Sequence, residues 1–110
     1  PLSGMGAGGE PVLITATDLV GAQTVHTCVA GTEANVQDHP WVDVFNISAN
    51  DVDVTVAVGA VEITQTVPAK AAIRVLDGKP RQAGLVIKVY AGTGSALVFD
   101  GWVDQARAAA

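Results

Sequence analysis

His26, Cys28 and His39 are the residues whose types come closest to a reactive constellation. His26 and Cys28 fall at i and i+2, so a strand there would place both on one face, as zinc ligands require. A structural zinc site takes four ligands and a catalytic one three with a supporting shell. His39 would have to come in from a loop and no second paired motif follows, so the expectation is ordinary histidines, a half-buried cysteine and no bound cofactor. Asp51 and Asp53, with Asp38 and Asp43 elsewhere, supply oxygen ligands, but the EF-hand pattern with its Gly and closing Glu is missing. These carboxylates read as solvent-facing.

Three further candidates end the same way. Gly4-Met5-Gly6-Ala7-Gly8-Gly9 matches G-x-G-x-x-G in letters, but no strand precedes it and no helix follows, so a pyrophosphate would have no helix N-terminus to meet. Pro1 could serve as an N-terminal amine base only in a pocket, whereas a glycine-rich segment follows it. Asp100 and Asp104 flank Trp102 without a third group to fix a glycosidase pair. No G-x-S-x-G or H-E-x-x-H occurs. The expectation is a protein that is not an enzyme. Trp41 and Trp102 suit either sugar stacking or, as amphipathic rings in an aromatic-poor chain, capping of the core ends.

The elements that must position these residues are strands. Val52, Val54, Val56 and Val58 recur at every second position, with Asp51, Asp53, Thr55 and Ala57 between them. That alternation gives a strand with one core face and one wet face. Gly59-Ala60 fits a two-residue hairpin with Gly first, leading to a strand in which Val61, Ile63 and Val67 share a face. On the other side Ala49-Asn50-Asp51 is expected to turn the chain back from Trp41–Ser48, making Trp41–Val67 a three-strand meander. Further strands are expected at Val12–Thr17, Gln23–Val29, Ala71–Leu76, Leu85–Ala91 and Ser95–Asp104, with Ala30–Pro40 as the longest loop. Gly101 inside the last strand predicts a bulge or a close backbone approach.

The pattern therefore predicts an all-β fold, an antiparallel β-sandwich of about eight short strands, either jelly-roll-like or immunoglobulin-like. It divides into a flexible glycine-rich arm over residues 1–11 and a single sandwich domain over residues 12–110 with a short C-terminal tail. At 110 residues the chain has room for one core. Hydrophobic residues make up 49% and aromatics 5%, so that core is aliphatic.

A net charge of −5 disfavours a nucleic-acid partner. Every Lys and Arg lies at or after Lys70, an asymmetry that can dock copies of a chain or vanish once strands intermix. The single cysteine permits no internal disulfide, and no apolar run is long enough for a membrane helix. With no signal peptide in view, synthesis in the cytoplasm is the expectation.

Trp41-Val-Asp-Val-Phe-Asn-Ile-Ser-Ala-Asn-Asp-Val-Asp-Val-Thr-Val, then Thr66-Val-Pro-Ala-Lys-Ala, Leu85–Ala91 and Asp100-Gly-Trp-Val together resemble small β-sandwich virion proteins of tailed bacteriophages. The likeness spans roughly residues 40 to 104 and implies function by analogy of fold. It implies a capsid decoration or cement protein on the virion surface, made in the host cytoplasm. Its partners would be the major capsid protein and copies of itself, as a homo-oligomer and favourably a trimer, with no nucleic acid or membrane involved. Leu2 and Met5 of the arm are the expected anchors, and Lys70, Arg74, Lys79 and Arg81 the expected basic contacts. The alternatives are a tail, neck or fibre-base component, and a carbohydrate-binding module using Trp41 or Trp102.

Overall fold

A computed structural model describes residues 1–106, and in them the chain is all strand and loop. The strands are β1 (Val12–Ile14), β2 (Gln23–Thr27), β3 (Gln37–Asn46), β4 (Val52–Val58), β5 (Val61–Val67), β6 (Ala72–Asp77), β7 (Val86–Ala91) and β8 (Leu97–Ala106). They form two four-stranded sheets, ordered β1-β8-β3-β6 and β2-β7-β4-β5. Every pairing is antiparallel. β1 pairs β8, β2 pairs β7, β3 pairs β6 and β4 pairs β5, so the chain is one long ribbon folded at the β4–β5 hairpin and rolled up. This nested order makes the sandwich a jelly roll and sets aside the immunoglobulin-like alternative.

The core is aliphatic, as composition requires. Val42, Val44, Val54, Val67, Ile14, Ile87, Leu97 and Phe99 are almost completely buried between the sheets, each worth about 1.5–3 kcal/mol relative to exposure. β4 keeps its alternation: Val52, Val54 and Val56 face the core while Asp53 faces out. Gly59 takes φ +62° at the hairpin, a conformation that costs glycine little. Gly101 is a close approach, since a Cβ there would lie 1.9 Å from the Trp41 carbonyl oxygen.

Three expectations change. The three-strand meander is only a hairpin, because β3 and β4 lie in different sheets. Asn46 holds the corner between them. Its Nδ2 donates to the Asn50 and Val67 carbonyls at 2.8 and 2.9 Å, and its Oδ1 accepts from the Ser48 amide and hydroxyl. A buried amide thus ties both ends of the corner to β5, which sends the chain across the core instead of back beside itself.

The loop expected over Ala30–Pro40 ends early, since β3 starts at Gln37 and contains Pro40. Pro40 is tolerated because its backbone faces away from β8: its carbonyl accepts from Gly78 on the β6 side, where β6 has already ended. No bond to β8 is lost.

The glycine-rich arm lies packed against the sandwich and not free of it. Leu2 is fully buried and Met5 nearly so, both within the main core. The Gly4 amide donates to the Val25 carbonyl at 2.8 Å, and Ser3 Oγ accepts from the Thr27 amide at 2.7 Å. A Cβ on Gly4 would sit 1.9 Å from the Thr24 carbonyl oxygen, so glycine is what lets the arm lie along the edge of β2. Of the expected C-terminal tail, Gln105 and Ala106 continue β8, and residues 107–110 fall outside the described residues.

Candidate binding surfaces and the buried histidine cluster

Strand register assembles the outer face of the β1-β8-β3-β6 sheet in rows. Leu13, Val98, Phe45 and Ala72 form one row, Asp100, Asp43 and Arg74 the next, then Trp102, Trp41 and Asp77, then Asp104 and His39. Trp41 and Trp102 therefore sit side by side on the outside and do not cap the ends of the core. Their rings stack with centroids 5.5 Å apart and planes 9° from parallel.

Arg74 holds the cluster together. Its guanidinium lies 5.2 Å from the Trp41 ring centroid and 5.5 Å from that of Trp102, within cation–π range. The same group donates to both oxygens of Asp43 at 2.8 and 3.2 Å. This bidentate hydrogen bond holds the Arg74 pKa above its ordinary value. Trp41 Nε1 donates to Asp104 at 3.2 Å, and Gly78, at φ +80°, lies under the ring where any side chain would collide. The result is an exposed patch with two indoles, one guanidinium and a fringe of carboxylates. With Phe45 and Leu13 each about 40% exposed, it has the amphipathic aromatic character of recognition surfaces.

The zinc-type residues resolve differently. His26, Cys28 and Asp38 converge in the interior, with possible ligand atoms within 4.8 Å of one another. His39 lies elsewhere, its Nδ1 3.0 Å from the Gly78 carbonyl. The hydrogen bonds assign the cluster's protons. His26 Nδ1 accepts from the Ser3 amide at 2.9 Å, so the ring proton lies on Nε2 and is donated to Asp38 Oδ2 at 2.8 Å. Asp38 Oδ2 also accepts from the Val29 amide at 3.0 Å.

A metal on Nε2 would have to displace that proton while Nδ1 still faces an N–H donor. The ring is therefore set as a hydrogen-bonding link between the arm and β3. Burial is the main cause that raises the Cys28 thiol pKa to about 11; the Asp38 carboxylate adds to the rise and Arg81 opposes it. Such a thiol is a weak nucleophile at neutral pH.

Asp38 was not legible as a partner of His26 and Cys28 while residues 30–40 read as loop. The signal is the parity Asp38, Pro40, Val42, Val44, Asn46, all of them buried.

The expected contact residues separate. Leu2 and Met5 are in this chain's own core, so they do not project as anchors. Lys70 turns at φ +59° and its Nζ donates to the Ile47 carbonyl at the Asn46 corner. Arg74 lies midway along the edge strand β6, in the aromatic patch. Lys79 is exposed in the loop after β6. Arg81 exchanges backbone hydrogen bonds with Asp38, placing it beside the buried histidine. Only Arg74 lies within β6; Lys70 precedes that strand, and Lys79 and Arg81 follow it. The Arg74–Asp43 pair joins the acidic and basic halves of the sequence, as intermixing of strands would.

The far edge of the other sheet carries apolar groups of its own. Val61 is 62% exposed and Ile63 47%. Comparison of the chain with protein-family models, with curated proteins and with solved structures finds no match.

Proposed function

We propose that this chain is a non-enzymatic structural protein of a tailed-bacteriophage virion, of the capsid decoration or cement type, that binds the outside of the assembled head. The reading rests on the sequence resemblance given above, and the observation that supports it best is the exposed aromatic and aliphatic face of the β1-β8-β3-β6 sheet. Leu13, Phe45 and Trp102, each at least 40% exposed, share the outer face of one sheet, and a shared apolar face of this kind marks interaction sites. The jelly-roll order is also one that viral capsid and lectin domains use, an analogy of fold.

With Leu2 and Met5 committed to the chain's own core, the contact with the shell falls to the Trp41–Trp102–Arg74 face. Binding only the assembled lattice, many copies at once, would stabilise it by mass action. Mass spectrometry of purified virions should find the chain in fixed ratio to the major capsid protein. The purified chain should co-sediment with expanded shells, and Arg74→Ala with Trp102→Ala should abolish that. A chain missing from virions, or found only in the tail fraction, would reject the head assignment.

One observation favours a second reading, a carbohydrate-binding module: the stacked indoles with Arg74, Asp43 and Asp104 around them offer apolar faces and hydrogen-bonding groups together. Glycan-array binding lost in Trp102→Ala would decide for it.

A further inference from the structure

The two sheets have four edges among the described residues: β1, β6, β2 and β5. Natural sandwiches blunt such edges, and three of these are blunted. β1 is three residues long. β6 has a register shift opposite Val42 and Asp43 and carries Arg74. β2 has a register shift between Thr24 and His26 and is covered by the arm. β5 has only a single charge, Glu62: its seven residues pair β4 in unbroken register, with no proline, lysine or arginine.

β5 is also uncovered on the side that should be core. Cross-strand partners share a face, so Val61, Ile63, Gln65 and Val67 lie on the same side as Val58, Val56, Val54 and Val52. Val67 is fully buried at one end, whereas Ile63 and Val61 emerge progressively at the other. The sandwich is open along this flank.

We propose that β5 pairs with β5 of a second copy, antiparallel and centred on Thr64, joining the two β2-β7-β4-β5 sheets into one. Backbone direction supports that register. The Val58–Val61 pair closes a two-residue hairpin and so points its backbone groups at each other. By alternation, the N–H and C=O groups of Glu62, Thr64 and Thr66 point out from the edge.

Pairing about Thr64 sets Glu62 opposite Thr66 and Thr64 opposite itself, using all three residues of each copy for about six backbone hydrogen bonds. The only charge on the strand, Glu62, then faces a threonine and never its twin. On the core side Val61 lies beside the other copy's Val67, and Ile63 beside its Gln65. Seven residues span roughly 23 Å of edge, which buries less than a standard interface of about 1,600 Å². The association is therefore concentration-dependent. It is two-fold, in contrast to the trimer that the phage resemblance implies, and it rests on the edge geometry independently of the capsid reading.

Sedimentation velocity over a concentration series, with hydrogen–deuterium exchange on the same samples, tests it. The expected result is a monomer–dimer equilibrium in which the amides of Glu62, Thr64 and Thr66 become protected as concentration rises. Thr64→Pro removes an outward amide, and Ile63→Lys puts a charge on the open flank; each should weaken dimerisation at least tenfold while circular dichroism stays native. A monomer at every concentration, a trimer, or a dimer that forms without protecting those amides would overturn the proposal, whatever the virion analysis finds.

Discussion

The two edges of the β2-β7-β4-β5 sheet contrast in how they are finished. At β2 the chain supplies its own cover: the arm lies along the strand, Gly4 and Ser3 bond to it, and Leu2 and Met5 fill the core beneath. At β5 the core-facing Val61 and Ile63 stay in solvent and the backbone groups of alternate residues point outward. Both edges carry apolar groups aimed inward. One is closed within the chain, and the other is left open. The lesson is that an exposed apolar side chain carries most information when its strand register says it should have been buried.

Removing the cover at β2 should have the largest effect. Leu2→Ala should destabilise the fold by about 2–5 kcal/mol, as for a buried leucine, measured by urea denaturation. Gly4→Ala should push the arm off β2 and release the amides of Ser3 and Thr27 to exchange, since its Cβ has no room beside the Thr24 carbonyl. Asn46→Ala, which leaves the buried Val67 carbonyl without its donor, should cost about 1–3 kcal/mol.

At β5 the outcome is opposite: Ile63→Lys should change monomer stability by less than about 0.5 kcal/mol, being already half in water. An equal loss at Leu2 and Ile63 would break the contrast.

Two titrations sharpen it further. The Cys28 thiol beside the arm has its folded pKa raised from 9.0 to about 11. Above pH 9 the unfolded chain gives up that proton while the folded chain keeps it, so this contribution is complete below pH 9 and is lost as pH rises through about 11. Denaturation midpoints should fall across that window in wild type and fall less in Cys28→Ser. The smallest effect lies beside β5. The Tyr90 hydroxyl donates to Glu62 at 2.6 Å, which holds its pKa above the ordinary value. Glu62→Gln should move the ultraviolet titration of Tyr90 down, with no change in fold.

Much of the fold was legible because local periodicity and turn chemistry agree over Val52–Val67. The β4–β5 hairpin, its glycine turn and the two-sheet architecture follow from residues that act on near neighbours. The β3–β4 corner was not legible, because Ala49-Asn50-Asp51 suits a hairpin equally well, and the choice is made by Asn46 reaching Val67, twenty-one positions away. Composition misdescribed the arm for a related reason. Glycine raises the cost of ordering a free chain, yet at Gly4 the missing Cβ is what permits the contact that orders it. Leu2 and Met5 stood out as anchors, and anchors they are, though to the chain's own interior. Of the surface patch, Trp41 and Trp102 were recognisable by type; their stacking under Arg74 depends on the register of three strands.

The nested order of the ribbon has a consequence for how the protein is made. β1 pairs with β8, so this strand must wait for a partner made only after the six strands between them. Contacts between strands this far apart in sequence are entropically late and favour slow folding. The β4–β5 hairpin, with its neighbours close in sequence, is placed to form first, and the sheets can grow outward from it. During synthesis, Leu2, Met5 and the edge of β5 are exposed together, a period in which aggregation competes with closure.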